Sequence, residues 1–176
     1  MRFVLVFCSL LASCGGMRGP TPIAQPSDVE SVDAIMHSVY DVISGPVNAP
    51  RDWNRFRSLF VADARMIPIG LRKEGGYGSF TLTVEDYINR ASAHFEKEAF
   101  YEKEISRKTE QFAHFAHVLS TYASYHDTTG GDPFMRGINS FQLMNDGKRW
   151  WVVTILWEAE TKENPIPASY LPEGTP

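Results

Sequence analysis

The chain has 176 residues, of which 43% are hydrophobic and 22% charged, and a formal net charge of −4. That length suits one domain with extended ends, and the composition is that of an ordinary globule. The small negative charge leaves no basic footprint for nucleic acid, and beyond Leu11 no apolar run is long enough to span a bilayer.

Met1-Arg2 is followed by an apolar run, Phe3 to Leu11, too short for a transmembrane helix but suited to the core of a signal peptide. The run ends in Leu11-Ala-Ser-Cys14, which resembles a bacterial lipobox. The resemblance implies that residues 1–13 are removed, that Cys14 becomes the acylated N-terminus and that Gly15 directs the chain to an outer membrane. The expectation is therefore an exported protein, a membrane-anchored lipoprotein or a periplasmic one. If translation starts at Met17, the chain is cytoplasmic. On the lipoprotein reading Cys8 is discarded and Cys14 consumed, so no disulfide remains to support the fold.

Residues 14–26 are rich in Gly and Pro and read as a flexible tether. Ser27-Asp-Val-Glu30 has the form of a capping box. Val29, Val32, Ile35, Met36, Val39, Tyr40 and Ile43 follow at helical spacing, and Gly45-Pro46 ends the helix. His37 and Asp41 fall off the apolar stripe and read as solvated. Asp52 caps a second, shorter helix that turns Trp53, Phe56, Leu59 and Phe60 inward and Arg51, Arg55 and Arg57 outward.

Ala64 to Ile69 reads as a strand, edge or bulged because Pro68 cannot donate to a ladder. Gly70 to Ser79 reads as a loop. Its Gly cluster lacks the Lys-Ser/Thr of a phosphate-binding loop, which argues against nucleotide binding. Thr83-Val-Glu-Asp86 opens a third amphipathic helix carrying Val84, Tyr87, Ile88, Ala91 and Phe95. From Phe100 the period changes to two. Phe100 to Phe112 and Phe115 to Asp127 read as strands. Phe134 to Met144 and Arg149 to Trp157 flank an Asn-Asp-Gly turn as a hairpin, with three Trp on its second strand. A hairpin alone is marginal, so the helices must cover its aromatic face. Residues 161–176 are Pro-rich and read as a tail that lies across the surface. There is no internal repeat.

Helices followed by a run of antiparallel strands is an α+β order. The packing that satisfies it is a strongly curved antiparallel sheet wrapped around three N-terminal helices, a cone-shaped α+β barrel with a hollow at its wide end. Over residues 27–160 the chain resembles the nuclear transport factor 2-like superfamily, which includes ketosteroid isomerase, scytalone dehydratase and SnoaL-like cyclases. The resemblance lies closest to a bacterial subgroup without an assigned reaction. It is carried by Glu104-Ile105 with Arg107 and Glu110, Ala116-His-Val118, Ser120-Thr-Tyr122, Arg136-Gly-Ile-Asn-Ser140, Gln142-Leu143 and Arg149-Trp-Trp-Val152 through Trp157. The chain departs from that pattern at Ala113-His114, where a Gly-Asn turn is expected. Neither residue is as comfortable at positive φ, which predicts a looser or differently built turn.

The resemblance implies a pocket acid or His with a Tyr that holds a developing oxyanion. Neither the isomerase's pair of Asp residues nor the dehydratase's His-Asp-Tyr set has a positional match. Alternation places Ala116, Val118, Ser120, Tyr122 and Ser124 on one face of their strand. On the next strand it sets Arg136, Ile138, Ser140 and Gln142 against Gly137, Asn139, Phe141 and Leu143. Bulges reset parity, so alternation leaves open which face is concave. The candidate pocket residues are Trp53, Phe56, Tyr87, Glu104, Tyr122, Arg136, Asn139, Gln142 and Trp157. Glu104 or Glu110 with Arg107 or Arg136 is the expected ion pair. Most of the aromatic set, Trp151 included, reads as core.

His114 and His117 are three apart on a strand, face opposite ways and cannot share a metal, so no metal and no cofactor are expected. His126-Asp127 reads as a solvated strand end or, alternatively, a carboxylate-oriented base. Three functions follow as expectations. The first is a binding domain for a small apolar or amphipathic ligand. The second is an isomerase, dehydratase or cyclase. The third is a module that forms a homodimer through the outer face of its sheet.

Overall fold

The computed structural model describes residues 21–129 and 131–174. The segment expected to be a signal peptide, Cys14 and Met17 lie outside the described residues. Four α-helices, α1 (Pro26–Val29), α2 (Val32–Ile43), α3 (Trp53–Ser58) and α4 (Val84–Phe95), accompany six strands: β1 (Phe60–Leu71), β2 (Tyr77–Ser79), β3 (Tyr101–Phe112), β4 (Phe115–Tyr125), β5 (Met135–Asn145) and β6 (Trp150–Ala159). The strands form one open sheet in the order β2-β1-β6-β5-β4-β3. Four long strands, β3 to β6, are antiparallel as expected, while β1 runs parallel to β6. Register shifts between Phe60 and Arg65, Glu104 and Ser106, and Gln142 and Leu143 supply the bends that curl the sheet around the helices.

The long first helix anticipated from the sequence is broken. α1 ends at Val29, and Ser31, not Ser27, caps α2 by accepting from the Ala34 N–H at 3.0 Å. Asp28 explains the break. Its carboxylate turns into the protein, where Arg55 Nε and Nη2 donate to it at 2.9 and 3.0 Å and Ser38 at 3.0 Å. Arg55 also donates to Asp41 at 2.5 Å, so Asp41 is an ion-pair partner and not simply solvated. Helix α1 starts at Pro26 with Gln25 at its N-cap, and Ala24 ahead of it packs on the core. Arg51 and Arg55 both depart from the outward reading. Arg51 is buried and donates to the carbonyls of Ile43, Gly45, Pro46 and Ala49 at 2.7–3.2 Å, satisfying acceptors left over at the end of α2.

α4 starts as read, with Thr83 and Asp86 in a reciprocal capping box. The expected loop from Gly70 is partly a hairpin, because β1 runs on to Leu71 and pairs with β2. Pro68 lies in β1, in the stretch that pairs with β6 in continuous register. Met66, two residues earlier, exchanges both backbone hydrogen bonds with Leu82 on the side away from β6. By alternation the missing N–H of Pro68 faces that same sparsely paired side, so no bond to β6 is lost.

Of the two alternatives for the β3–β4 connection the looser one fails: it is a tight two-residue turn in which Phe112 pairs with Phe115 and Ala113 takes φ 47°. The Cβ of an Ala makes that left-handed conformation costly. Ala113→Gly is therefore expected to stabilise the fold by about 0.5–1 kcal/mol, read as a rise of about 2–3 °C in unfolding temperature. The β5–β6 hairpin closes as predicted, with Gly147 at φ 91° and Asn145 and Asp146 accepting from backbone N–H groups in the turn. Trp151 is not core. It lies on the outer face with Arg149 stacked on its ring at 3.6 Å.

The tail crosses the sheet's outer face. Ile166 is buried, and Tyr170, in a single 3-10 turn (Ala168–Tyr170), accepts from Thr121 Oγ1 at 2.7 Å and lies under Lys108 Nζ. Thr121 and Ala123, outward on β4, are accordingly only 1% exposed.

Candidate functional site

The inner face of the sheet is fixed by what it meets. Ala116, Val118, Ser120, Tyr122 and Ser124 of β4 point toward the helices, as do Gly137, Asn139, Phe141 and Leu143 of β5. The helices do not fill the hollow. A cavity of about 500 Å3 remains between α2, α4 and the inner face, within the range of small-molecule sites. Its walls are mostly apolar: Val39, Ile43, Phe56, Met66, Leu82, Ala91, Phe95, Phe100, Phe141 and Ile155 among them. Phe80 and Phe134 stand at the mouth, 51% and 43% exposed.

Five of the nine pocket candidates line this cavity: Phe56, Tyr87, Tyr122, Asn139 and Trp157. Four do not. Trp53 packs behind Phe56 and Phe95 at ring distances of 5.7 and 6.2 Å. Arg136 and Gln142 have the outward parity of β5, Arg136 binding Glu160 at 2.8 Å and Gln142 standing in solvent. Glu104 is inward but lies beyond Tyr40, outside the main cavity. It is held by Arg107 at 2.7 Å and accepts from Ser120. The expected carboxylate–arginine pair is thus Glu104 with Arg107, while Glu110 is exposed.

The polar centre of the cavity is a residue that sequence reasoning missed. Glu102, on β3 opposite Ser124, projects into the cavity and accepts from Ser124 Oγ at 3.0 Å. Glu102 is partly buried and lines both this cavity and a polar cleft beside α2. Removal from water pushes its carboxyl up to about 7, against smaller opposing contributions from Ser124 and Asn139. Among the described residues no arginine or lysine forms an ion pair with it. A signal was available. Phe100, Glu102 and Glu104 share parity ahead of the bulge, so a face ending in a core Phe carries two carboxylates.

Three tyrosines surround Glu102. Tyr40 of α2 receives Asn139 Nδ2 at 3.1 Å and shares a 2.6 Å bond with Ser120, which continues to Glu104, Arg107 and Asp33. With Asn139 donating, the Tyr40 proton points to Ser120 and on toward Glu104. Tyr87 and Tyr122 have no hydrogen-bond partner for their hydroxyls among the described residues, and no buried side-chain polar atom there is left unpaired, so both hydroxyls open to the cavity. Burial first, and then the negative charge of Glu102, raise both above the usual tyrosine range. Such hydroxyls keep their protons and act as hydrogen-bond donors.

The remaining histidine candidates sit elsewhere. His126 stacks on Phe134 at 4.1 Å, while Asp127 accepts from Thr129, so the two do not form a dyad. His117 bonds Ser140 on the outer face at 3.0 Å.

No family model and no curated protein sequence matches the chain. Solved structures do. A Nostoc punctiforme protein with a cystatin-like fold superposes with a TM-score of 0.56 at 9% identity, covering 74% of this chain and 90% of the other. A nuclear transport factor 2-like protein from Silicibacter pomeroyi gives 0.51 at 11% identity over 74% and 94%. A scytalone dehydratase candidate from Novosphingobium aromaticivorans gives 0.52 at 12% identity over 84% and 93%. At these identities the likeness is one of fold. The open curved sheet, the helices in its hollow and these superpositions agree: the chain folds as a nuclear transport factor 2-like domain.

Proposed function

We propose that this protein takes a small, largely apolar ligand into the cavity and that Glu102 exchanges a proton with it, as in the isomerases and dehydratases of this fold. The observation that carries the reading is a carboxyl without a counter-cation in an apolar cavity, beside tyrosine hydroxyls open to the same space. A carboxyl titrating near neutrality accepts a proton and returns it with little bias either way. A proton α to a ligand carbonyl would pass to Glu102, and the charge developing on the carbonyl oxygen would be held by Tyr122 or Tyr87.

The test is hydrogen–deuterium exchange at the α-carbon of a panel of apolar ketones in D2O. Wild type is expected to catalyse exchange for a subset, with a loss of roughly 100-fold or more in Glu102→Gln. Ketones that bind without exchanging would reduce the protein to a carrier, and exchange undiminished in the variant would remove Glu102 from the chemistry.

We further propose, on the sequence of the first fourteen residues, that the chain is exported and anchored through acylated Cys14. Leu156, apolar and exposed on the outer face of β6, supports homodimer formation through that face of the sheet. Native mass spectrometry of protein from its own host membranes is expected to show a diacylated or triacylated mass beginning at Cys14, and a dimer. A mass beginning at Met17 would overturn the anchor, and a monomer at high concentration the dimer.

A further inference from the structure

α4 presents two kinds of side chain to the cavity. Tyr87, Ala91 and Phe95 face its interior, while Arg90 and His94 line it from the solvent side. Arg90 and His94 are four residues apart and so neighbours on one helix face, both exposed. Arg90 differs from the arginines described above. Arg55, Arg57, Arg107 and Arg136 hold carboxylates, and Arg51 and Arg149 hold carbonyls. Among the described residues Arg90 has no carboxylate partner, and its guanidinium rests over the Phe80 ring at 5.0 Å. Phe80 itself stands at the mouth. The stacking leaves the guanidinium edge, with its N–H donors, free at the rim of an apolar hole.

We infer that the natural ligand is an amphipathic organic anion: its carboxylate-type group is held at the rim by Arg90 with His94 beside it, and its apolar body runs inward toward Glu102. This rests on the cavity being a ligand site, but not on proton transfer by Glu102. Charge fixes the orientation. An anionic group at the floor would meet the Glu102 carboxyl without a cation to offset it, while at the rim it meets an uncommitted guanidinium able to bind it in bidentate fashion. The end that reaches the floor is the uncharged one, and the Asn139 amide and the tyrosine hydroxyls there suit a carbonyl or hydroxyl.

Two fluorescent probes with the same aromatic body test this on the full chain: 8-anilinonaphthalene-1-sulfonate, which is anionic, and neutral N-phenyl-1-naphthylamine. Methyl NMR places the probes, since Met66 and Met135 line the cavity and Met144 does not. Both probes are expected to shift Met66 and Met135. Arg90→Gln is expected to weaken the sulfonate about tenfold and the neutral probe less than twofold. His94→Gln gives a smaller loss in the same direction, and Glu102→Gln leaves the Arg90 effect in place. The inference is overturned if Arg90→Gln moves both probes equally or neither. Failure of both probes to shift Met66 and Met135 would overturn it together with the ligand-site reading. An intact Arg90 effect without ketone exchange would leave the inference standing and remove only the proton-transfer reading.

Discussion

Glu102→Gln is expected to raise the unfolding temperature at pH 8 and to leave it nearly unchanged at pH 4. In the unfolded chain this carboxyl titrates at its ordinary value of 4.5, and in the folded protein at about 7. Between those values the folded state holds more protons than the unfolded state, so the slope of stability with pH is negative. The protonated acid is the comfortable form in the apolar cavity. Its contribution is complete below pH 4.5 and is lost as pH rises through 7. Gln imitates the protonated acid in shape and polarity but does not titrate.

The difference between the two proteins should therefore open across this window and reach about 3 kcal/mol above it, at about 1.4 kcal/mol for each pH unit that separates the folded from the unfolded titration. For a chain of this length that corresponds to roughly 6–10 °C. Thermal unfolding of both proteins from pH 4 to 8 measures it directly. A constant difference across the range would mean that Glu102 is well solvated, and the acid–base reading of the cavity would lose its basis. The same substitution is expected to stop ketone exchange, so the proposed catalyst would be less stable than its inactive variant, as for groups held in an environment hostile to their charged form.

The fold was legible where one periodicity governs a whole element. The stripes of α2 and α4, the Thr83 capping box and the Asn-Asp-Gly hairpin each depend on residues close in sequence, and each appears as expected. Readings failed where a distant partner decides. Ser27 to Glu30 has a capping-box pattern, but Asp28 is drawn inward by Arg55, twenty-seven residues away, and the helix restarts at Ser31. Arg51 looks like a surface residue until the carbonyls at the end of α2 are seen to need donors.

The site shows the same division. Tyr122 and Asn139 follow from alternation once the concave face is known, because β4 and β5 pair without interruption. Glu102 and Glu104 precede the bulge in β3, where parity cannot be carried back from the rest of the strand. Of the two, only Glu104 has an arginine three residues away in sequence, which drew attention to the carboxylate that is neutralised and away from the one that is not.

Gly137 is a position where the inner face of the sheet has no room for a side chain. It lies on β5 opposite Tyr122, and a Cβ there would come within 2.4 Å of the Glu158 carbonyl oxygen on β6 and 2.5 Å of the Tyr122 hydroxyl. The carbonyl belongs to the neighbouring strand and cannot turn aside, and the Tyr122 ring is 2% exposed and packed. Ordinarily Ala in a strand interior is better than Gly. Here the overlap reverses the sign, and Gly137→Ala is expected to cost about 2–3 kcal/mol, or roughly 4–10 °C in unfolding temperature. It should also displace Tyr122 into the cavity and weaken the neutral naphthylamine probe.

Tyr122→Phe separates the two contacts. Its hydroxyl has no partner among the described residues, so the single change is expected to cost little. In the double variant, removal of the hydroxyl vacates part of the space that the added methyl needs, and the loss should be smaller than the sum of the single losses by about 1 kcal/mol. Strict additivity would mean that the β6 backbone alone opposes a side chain at this position. Glycine would then be needed there for strand spacing, and not to seat the tyrosine beside Glu102.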